Sequence, residues 1–110
     1  MTREGVAMTG KQKKYLRGLA HDMKPLVQIG QRGLTDAVAG QVDAALTDHE
    51  LIKVRVAAEA PIDRVEAAAQ LADRLQCDVA GTIGRVLILF RANPDEPRIE
   101  LPPASATEGE

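Results

Sequence analysis

The sequence predicts a single compact α/β domain, three helices and four strands in the order αβαβαββ, with the helices packed on a mixed four-stranded sheet. Three observations predict it. Apolar residues recur three and four apart in three separate stretches, the period of an amphipathic helix. Short runs rich in Val, Ile and Leu follow each of those stretches and read as strands. The last two runs are separated only by Gly84-Arg85, a two-residue hairpin signal. Strands joined through helices are naturally parallel and a tight hairpin is antiparallel, so the sheet is expected to be mixed. A chain of 110 residues suggests one domain, and 45% hydrophobic residues suffice for a real core.

The elements follow in order. Residues 1–8 show no periodicity and are expected to form a mobile arm. Thr9 is a plausible N-cap for a helix over about 10–21, with Leu16, Leu19, Ala20 and Met23 as its apolar stripe. Pro25 to Ile29 reads as the first strand, Pro being tolerated at a strand start. Thr35 or Asp36 caps a second helix over about 35–48 that carries Val38, Val42 and Leu46. Leu51 to Val56 alternates, and Lys53 and Arg55 are expected to point together to an open sheet face. A third helix is expected from Pro61 to about Leu75, with Val65, Ala68, Ala72 and Leu75 inward. Asp78 to Ile83 and Val86 to Phe90 complete the sheet. Arg98 to Pro102 reads as a short extended segment, and 103–110 as a disordered acidic tail.

Composition removes several classes of protein. The only aromatics are Tyr15 and Phe90, which argues against a surface built as an aromatic base-stacking platform. A single cysteine, Cys77, excludes an internal disulfide and a multi-cysteine zinc site. No His, Cys, Asp or Glu spacing suggests a metal site, and no cofactor is expected. No apolar run approaches the ~20 residues of a membrane span, and the N-terminal residues lack a signal-peptide core, so a cytoplasmic protein is expected. The net charge is −2, but its distribution is uneven. Residues 9–33 hold Lys11, Lys13, Lys14, Arg17, Lys24 and Arg32 against Asp22 alone, whereas residues 93–110 hold five acids against Arg98 alone. Screening at physiological salt acts over about 8 Å, so a local basic face can attract phosphates despite a distant acidic tail.

The stretch with most chemistry is Ile29-Gly30-Gln31-Arg32-Gly33-Leu34-Thr35-Asp36. A strand ends in Gly-x-x-Gly and a helix starts at once. Glycines permit a tight turn and a close backbone approach, and a helix start offers free N–H groups. Arg32 adds a forked cationic donor between the glycines. The expected ligand is an RNA backbone. The plainer reading, glycines that only shape a strand-to-helix turn, stands beside it at this point. Lys13 and Lys14 lie one helical turn from Arg17, which makes either a solvated face or an RNA-facing patch. Lys53 and Arg55 either extend that surface or merely solubilise the sheet. His21 and His49 read as helix-end residues and Cys77 as a buried inert thiol; Tyr15 reads as partly core beside the apolar stripe, with stacking on a base as the alternative.

These residues, in this order, resemble the YhbY-like family, also called the CRM domain (chloroplast RNA splicing and ribosome maturation). The resemblance rests on Thr9-x-Lys11-Gln12 with Leu16-Arg17-Gly18-Leu19-Ala20-His21, on Lys24-Pro25 with Ile29-Gly30-x-x-Gly33-Leu34-Thr35, and on His49-Glu50-Leu51-Ile52-Lys53-Val54. Gly84, Val86 to Arg91 and Arg98-Ile-Glu-Leu-Pro102 also fit, so it covers about residues 9–102. It implies a fold like the C-terminal domain of translation initiation factor three. It also implies a non-catalytic RNA-binding protein that acts on ribosomal RNA in precursors of the large ribosomal subunit. The implied RNA contacts are the Gly30, Gln31, Arg32 and Gly33 loop and the basic first helix with Lys11, Lys13, Lys14 and Arg17; Lys24 and Thr35 are expected to join them. The third helix matches weakly and carries little basic charge. The expected protein is a monomer without membrane or small-molecule partners. The competing expectation is a protein-interaction adaptor that docks an acidic partner on the first helix; a hydrolase using His49 or Cys77 carries least weight.

Overall fold

A computed structural model describes residues 8–103. The elements are α1 (Gly10–Ala20), β1 (Val27–Ile29), α2 (Asp36–His49), β2 (Leu51–Val56), α3 (Arg64–Leu75), β3 (Asp78–Ile83) and β4 (Val86–Phe90). This is the expected order. The sheet order is β1-β2-β4-β3, with β1 parallel to β2 and β4 antiparallel to both β2 and β3. The last hairpin therefore inserts its second strand beside β2 and leaves its first strand at the edge. Of the expected arm and tail, residues 1–7 and 104–110 lie outside the described residues.

The helix starts are set locally. The Thr9 side chain accepts from the Gln12 N–H and the Gln12 side chain returns a bond to the Thr9 N–H, a complete capping box. Thr35 accepts from the Val38 N–H, and Asp63 from the Glu66 N–H. The third helix begins three residues later than its proline suggested, because Asp63 supplies the cap and residues 61–63 belong to the loop before it.

Two cores lie on opposite sheet faces. On one, Val27, Ile29, Ile52, Val54, Val56, Leu87 and Leu89 pack against Val42 and Leu46 of α2 and Ala67, Ala68 and Leu71 of α3. On the other, Leu51, Ala80, Ile88 and Phe90 pack under Leu16 and Ala20 of α1, with Met8, Met23, Ile99 and Leu101 around them. Two expected stripes are corrected. Val65 is 70% exposed, and α3 instead turns Ala67, Ala68 and Leu71 inward. Leu19 is 45% exposed, since α1 crosses the sheet on Leu16 and Ala20 alone.

Two charged side chains are buried inside this frame. Glu50 is 1% exposed and closes α2 with φ 66°. Its carboxylate accepts the backbone N–H groups of Asn93 (2.6 Å), Arg98 (3.0 Å) and Ile99 (2.9 Å). Burial opposes ionisation, yet those three bonds and the nearby Arg98 charge outweigh it and hold the carboxyl below its ordinary pKa. Residues 93–102 form no strand; this carboxylate ties them down instead. Lys53 is 9% exposed, and its ammonium donates to the carbonyls of Met23 (3.0 Å) and His21 (3.3 Å).

Candidate nucleic-acid interface

The Gly-x-x-Gly segment is a tight turn in which the Gly33 N–H donates to the Gly30 carbonyl at 2.9 Å. The two glycines have different duties. Gly33 is buried with φ +78°, and a Cβ there would lie 3.1 Å from Pro61 Cγ, so only glycine fits without strain. Gly30 has no positive φ, and a Cβ there would meet nothing within 4 Å. Gln31 and Arg32 are exposed at the tip, and Arg32 makes no hydrogen bond to another described residue. Of the turn's N–H groups, that of Gly33 is used internally, and Gln31 and Arg32 are exposed.

The start of α2 is less open than the sequence suggests. The Thr35 hydroxyl oxygen accepts from the Val38 N–H and caps the helix, which leaves its O–H as the group a ligand could meet. Asp36 places a carboxylate in the first turn and pairs with Arg74. The helix end is thus already supplied with an anion.

On the other sheet face, α1 carries Lys11, Lys13, Lys14 and Arg17 and no acid along its length. Lys11 and Lys14 are exposed, Lys13 half-buried, and Lys24 exposed in the connection to β1. Arg17 lies across β3: its guanidinium donates to the Ala80 carbonyl at 2.9 Å. A Cβ on Gly81 would come 2.7 Å from Arg17 Cδ, so that glycine makes room for the arginine. The remaining guanidinium N–H groups of Arg17 are available beyond this bond.

The structure does not gather all the predicted residues at one point. The Gly30–Gly33 turn follows edge strand β1, whereas Arg17 lies on the opposite edge strand β3. Three strand spacings, about 14 Å, separate those edges. What joins them is a row of the sheet that α1 leaves uncovered. Gln28, Arg55, Val86 and Ile83 are successive partners across all four strands on the α1 face. Gln28 and Arg55 are exposed and Ile83 is 57% exposed. Arg55 therefore meets the expectation of an outward cation. Lys53 does not: it is on the same face but lies under the end of α1, and its ammonium is spent on carbonyls.

The loops after β1 and β2 and the Gly84-Arg85 turn share one end of the sheet. The Ala57 N–H donates to Ile29 and the Val56 N–H to Arg85. Arg85 is exposed there, a cation that sequence reading passed over as turn punctuation. The bond from the Val56 N–H to its carbonyl places it at the sheet end next to the loop after β2. Other cations are structural. Arg91 binds Asp43, Thr47 and the Leu75 carbonyl, and Arg98 binds the Asp48 carbonyl. Arg64 holds the Gly84 carbonyl.

Tyr15, expected to be partly core, is 41% exposed. Cys77 is buried, and its thiol faces the Leu71 carbonyl. His21 and His49 are exposed at the ends of α1 and α2. Among the described residues no group of three or more His, Cys, Asp or Glu could hold a metal, and no helix is long and apolar enough to cross a membrane.

A three-helix domain on a mixed four-stranded sheet, with a strand–Gly-x-x-Gly–helix turn and a basic first helix, defines a small α/β class. The chain belongs to the CRS1 / YhbY (CRM) domain family, whose model matches residues 8–91. It is 35% identical over 89 residues to the Probable RNA-binding protein PA4753 of Pseudomonas aeruginosa, covering 81% of this chain and 86% of that one. It is 36% identical over 95 residues to the Probable RNA-binding protein YqeI of Bacillus subtilis, covering 86% and 99%. The solution structure of the hypothetical protein SAV1595 from Staphylococcus aureus superposes with a TM-score of 0.67 at 35% identity, covering 87% of this chain and all of that one.

Proposed function

We propose that this protein binds RNA without catalysing a reaction, and that its RNA is ribosomal RNA in precursors of the large ribosomal subunit, met in the cytoplasm by a monomer. The observation that carries the reading is a set of basic residues on α1 and at the sheet end of a net acidic chain. Helix α1 has four basic residues and no acid, Arg55 stands exposed in the uncovered sheet row, and Arg32 and Arg85 are exposed in the turns at its end. The names of the relatives support RNA as the class of partner.

In this reading the RNA backbone runs from Lys11, Lys14 and Arg17 across the Gln28–Arg55 row to the Gly30–Gly33 turn. Arg32 grips one phosphate with its fork. The path is longer than one nucleotide, so shape along a folded RNA decides preference more than any single base. Held in this way, a local RNA fold would persist while neighbouring segments assemble.

The test is charge reversal on α1. Lys11→Glu with Lys14→Glu is expected to weaken binding to a large-subunit ribosomal RNA fragment roughly tenfold or more, since like charges then face the phosphates. Fluorescence anisotropy of a labelled fragment reads this directly. Unchanged affinity would remove α1 from the interface.

A further inference from the structure

Between α1 and the segment 100–103 runs an open groove of about 1130 Å³. One wall is a single helix face: Lys11, Tyr15 and Leu19 at four-residue steps, with Lys14 and Gly18 beside them. The other is Glu100-Leu101-Pro102-Pro103. This second wall is held in place. The Gln12 amide donates to the Pro102 carbonyl at 2.9 Å, Leu101 packs on the core, and Glu50 fixes the chain just upstream. Gly18 leaves open space one turn from Tyr15, where nothing lies within 4 Å of a built Cβ. The ring is thus exposed and aromatic, in a groove that Lys11 and Lys14 also line.

We infer that this groove is a base-binding subsite: an unpaired RNA base stacks on Tyr15 while its flanking phosphates meet Lys11 and Lys14. The inference rests on the RNA reading above and adds a specific subsite to it. Charge chooses the occupant. The helix wall carries cations only, so the ligand combines a flat apolar surface with regular negative charge, which describes single-stranded nucleic acid better than an apolar peptide. The volume exceeds that of a usual small-molecule pocket, ~300–1,000 Å³, and suits a length of chain. Glu100, the one carboxylate in the lining, only accepts hydrogen bonds and therefore favours a base with an exocyclic amine. Phe90 is buried, so Tyr15 is the only aromatic side chain available to stack.

The same composition supplies the probe. Tyr15 is the only tyrosine and there is no tryptophan, so intrinsic emission reports this side chain alone. Labelled RNA oligomers of about six nucleotides, oligo(A), oligo(C) and oligo(U), and a fully paired duplex are titrated with the protein. Anisotropy follows binding, and Tyr15 emission, corrected for RNA absorbance, follows stacking. Oligo(A) and oligo(C) are expected to quench the emission in step with binding, oligo(U) less, and the duplex little. Tyr15→Phe should keep the affinity and Tyr15→Ala should lose about 5- to 150-fold. Binding of the oligomers with unchanged emission would overturn the subsite, free the groove for a protein segment, and leave the RNA reading intact. Equal quenching by oligo(U) would overturn the part given to Glu100. Failure of every RNA, the ribosomal fragment included, to bind would overturn both.

Discussion

Replacing Glu50 with glutamine should destabilise the domain far more than its conservative chemistry suggests. The carboxylate takes three backbone N–H groups, Arg98 and Ile99 on one oxygen and Asn93 on the other. Glutamine keeps one acceptor oxygen, which can serve Arg98 and Ile99, but its NH2 then faces the Asn93 donor. Two charge-assisted bonds become neutral at about 1 kcal/mol each, and one buried donor is orphaned at about 1–3 kcal/mol. Relief from burying a charge offsets part of this, leaving a loss of roughly 2–4 kcal/mol. For a domain of this size each kcal/mol lowers Tm by ~4–8 °C, so a fall of about 8–32 °C is expected by calorimetry. The folded pKa is depressed, so the carboxylate's contribution is present above about pH 4.5 and is lost as pH falls through the folded value. The gap between wild type and Glu50→Gln should therefore be full at pH 7 and close as the medium becomes more acidic than pH 4.5. Hydrogen exchange at Asn93, Arg98 and Ile99 should quicken in the variant. A Tm within about 2 °C of wild type at pH 7 would refute the view that this charge holds residues 93–102 in place.

Other expectations test separate parts of the frame. Gly33→Ala should cost about 1–2 kcal/mol or more from its φ of +78° and the Pro61 contact, whereas Gly30→Ala should stay within about 0.5 kcal/mol in urea unfolding. Gly81→Ala should cost about 1 kcal/mol by displacing Arg17, and a double-mutant cycle should show that penalty vanish in an Arg17→Ala background. Lys53→Met should lower stability by about 1–3 kcal/mol through two orphaned carbonyls, with RNA affinity unchanged within twofold for the folded protein. Arg55→Glu should do the reverse, weakening RNA binding with little change in Tm.

Much of the fold was legible because it is written in local chemistry. Thr9 and Thr35 announce their helices through caps that form within three residues. The Gly84-Arg85 hairpin and the parallel β1–β2 pair follow from connection length. The sheet order was not legible, since nothing local says that β4 lies between β2 and β3. Alanine-rich α3 looks apolar on several faces, and only packing against the sheet selects Ala67, Ala68 and Leu71 over Val65. Buried charges were the largest blind spot. Lys53 alternates like a solvent-facing residue, and its burial depends on the end of α1, thirty residues earlier in the chain. Glu50 is read by a segment more than forty residues later. For the candidate site, the residue types were visible but their distribution over opposite sheet edges was not. Arg85 becomes notable only once the β2–β4 pairing brings its turn to the sheet end that also holds the loops after β1 and β2.

The central claim is that RNA is held electrostatically through the Gly30–Gly33 turn and α1, and a salt titration tests it most directly. Binding of a large-subunit ribosomal RNA fragment is measured against salt for the wild type and for Arg32→Glu. With roughly four phosphates neutralised, log K should fall with log salt at a slope of about −3 for the wild type. Arg32→Glu should bind more weakly, with the slope shallower by about 1. Binding that ignores salt, or the same affinity and slope for both proteins, would contradict the account.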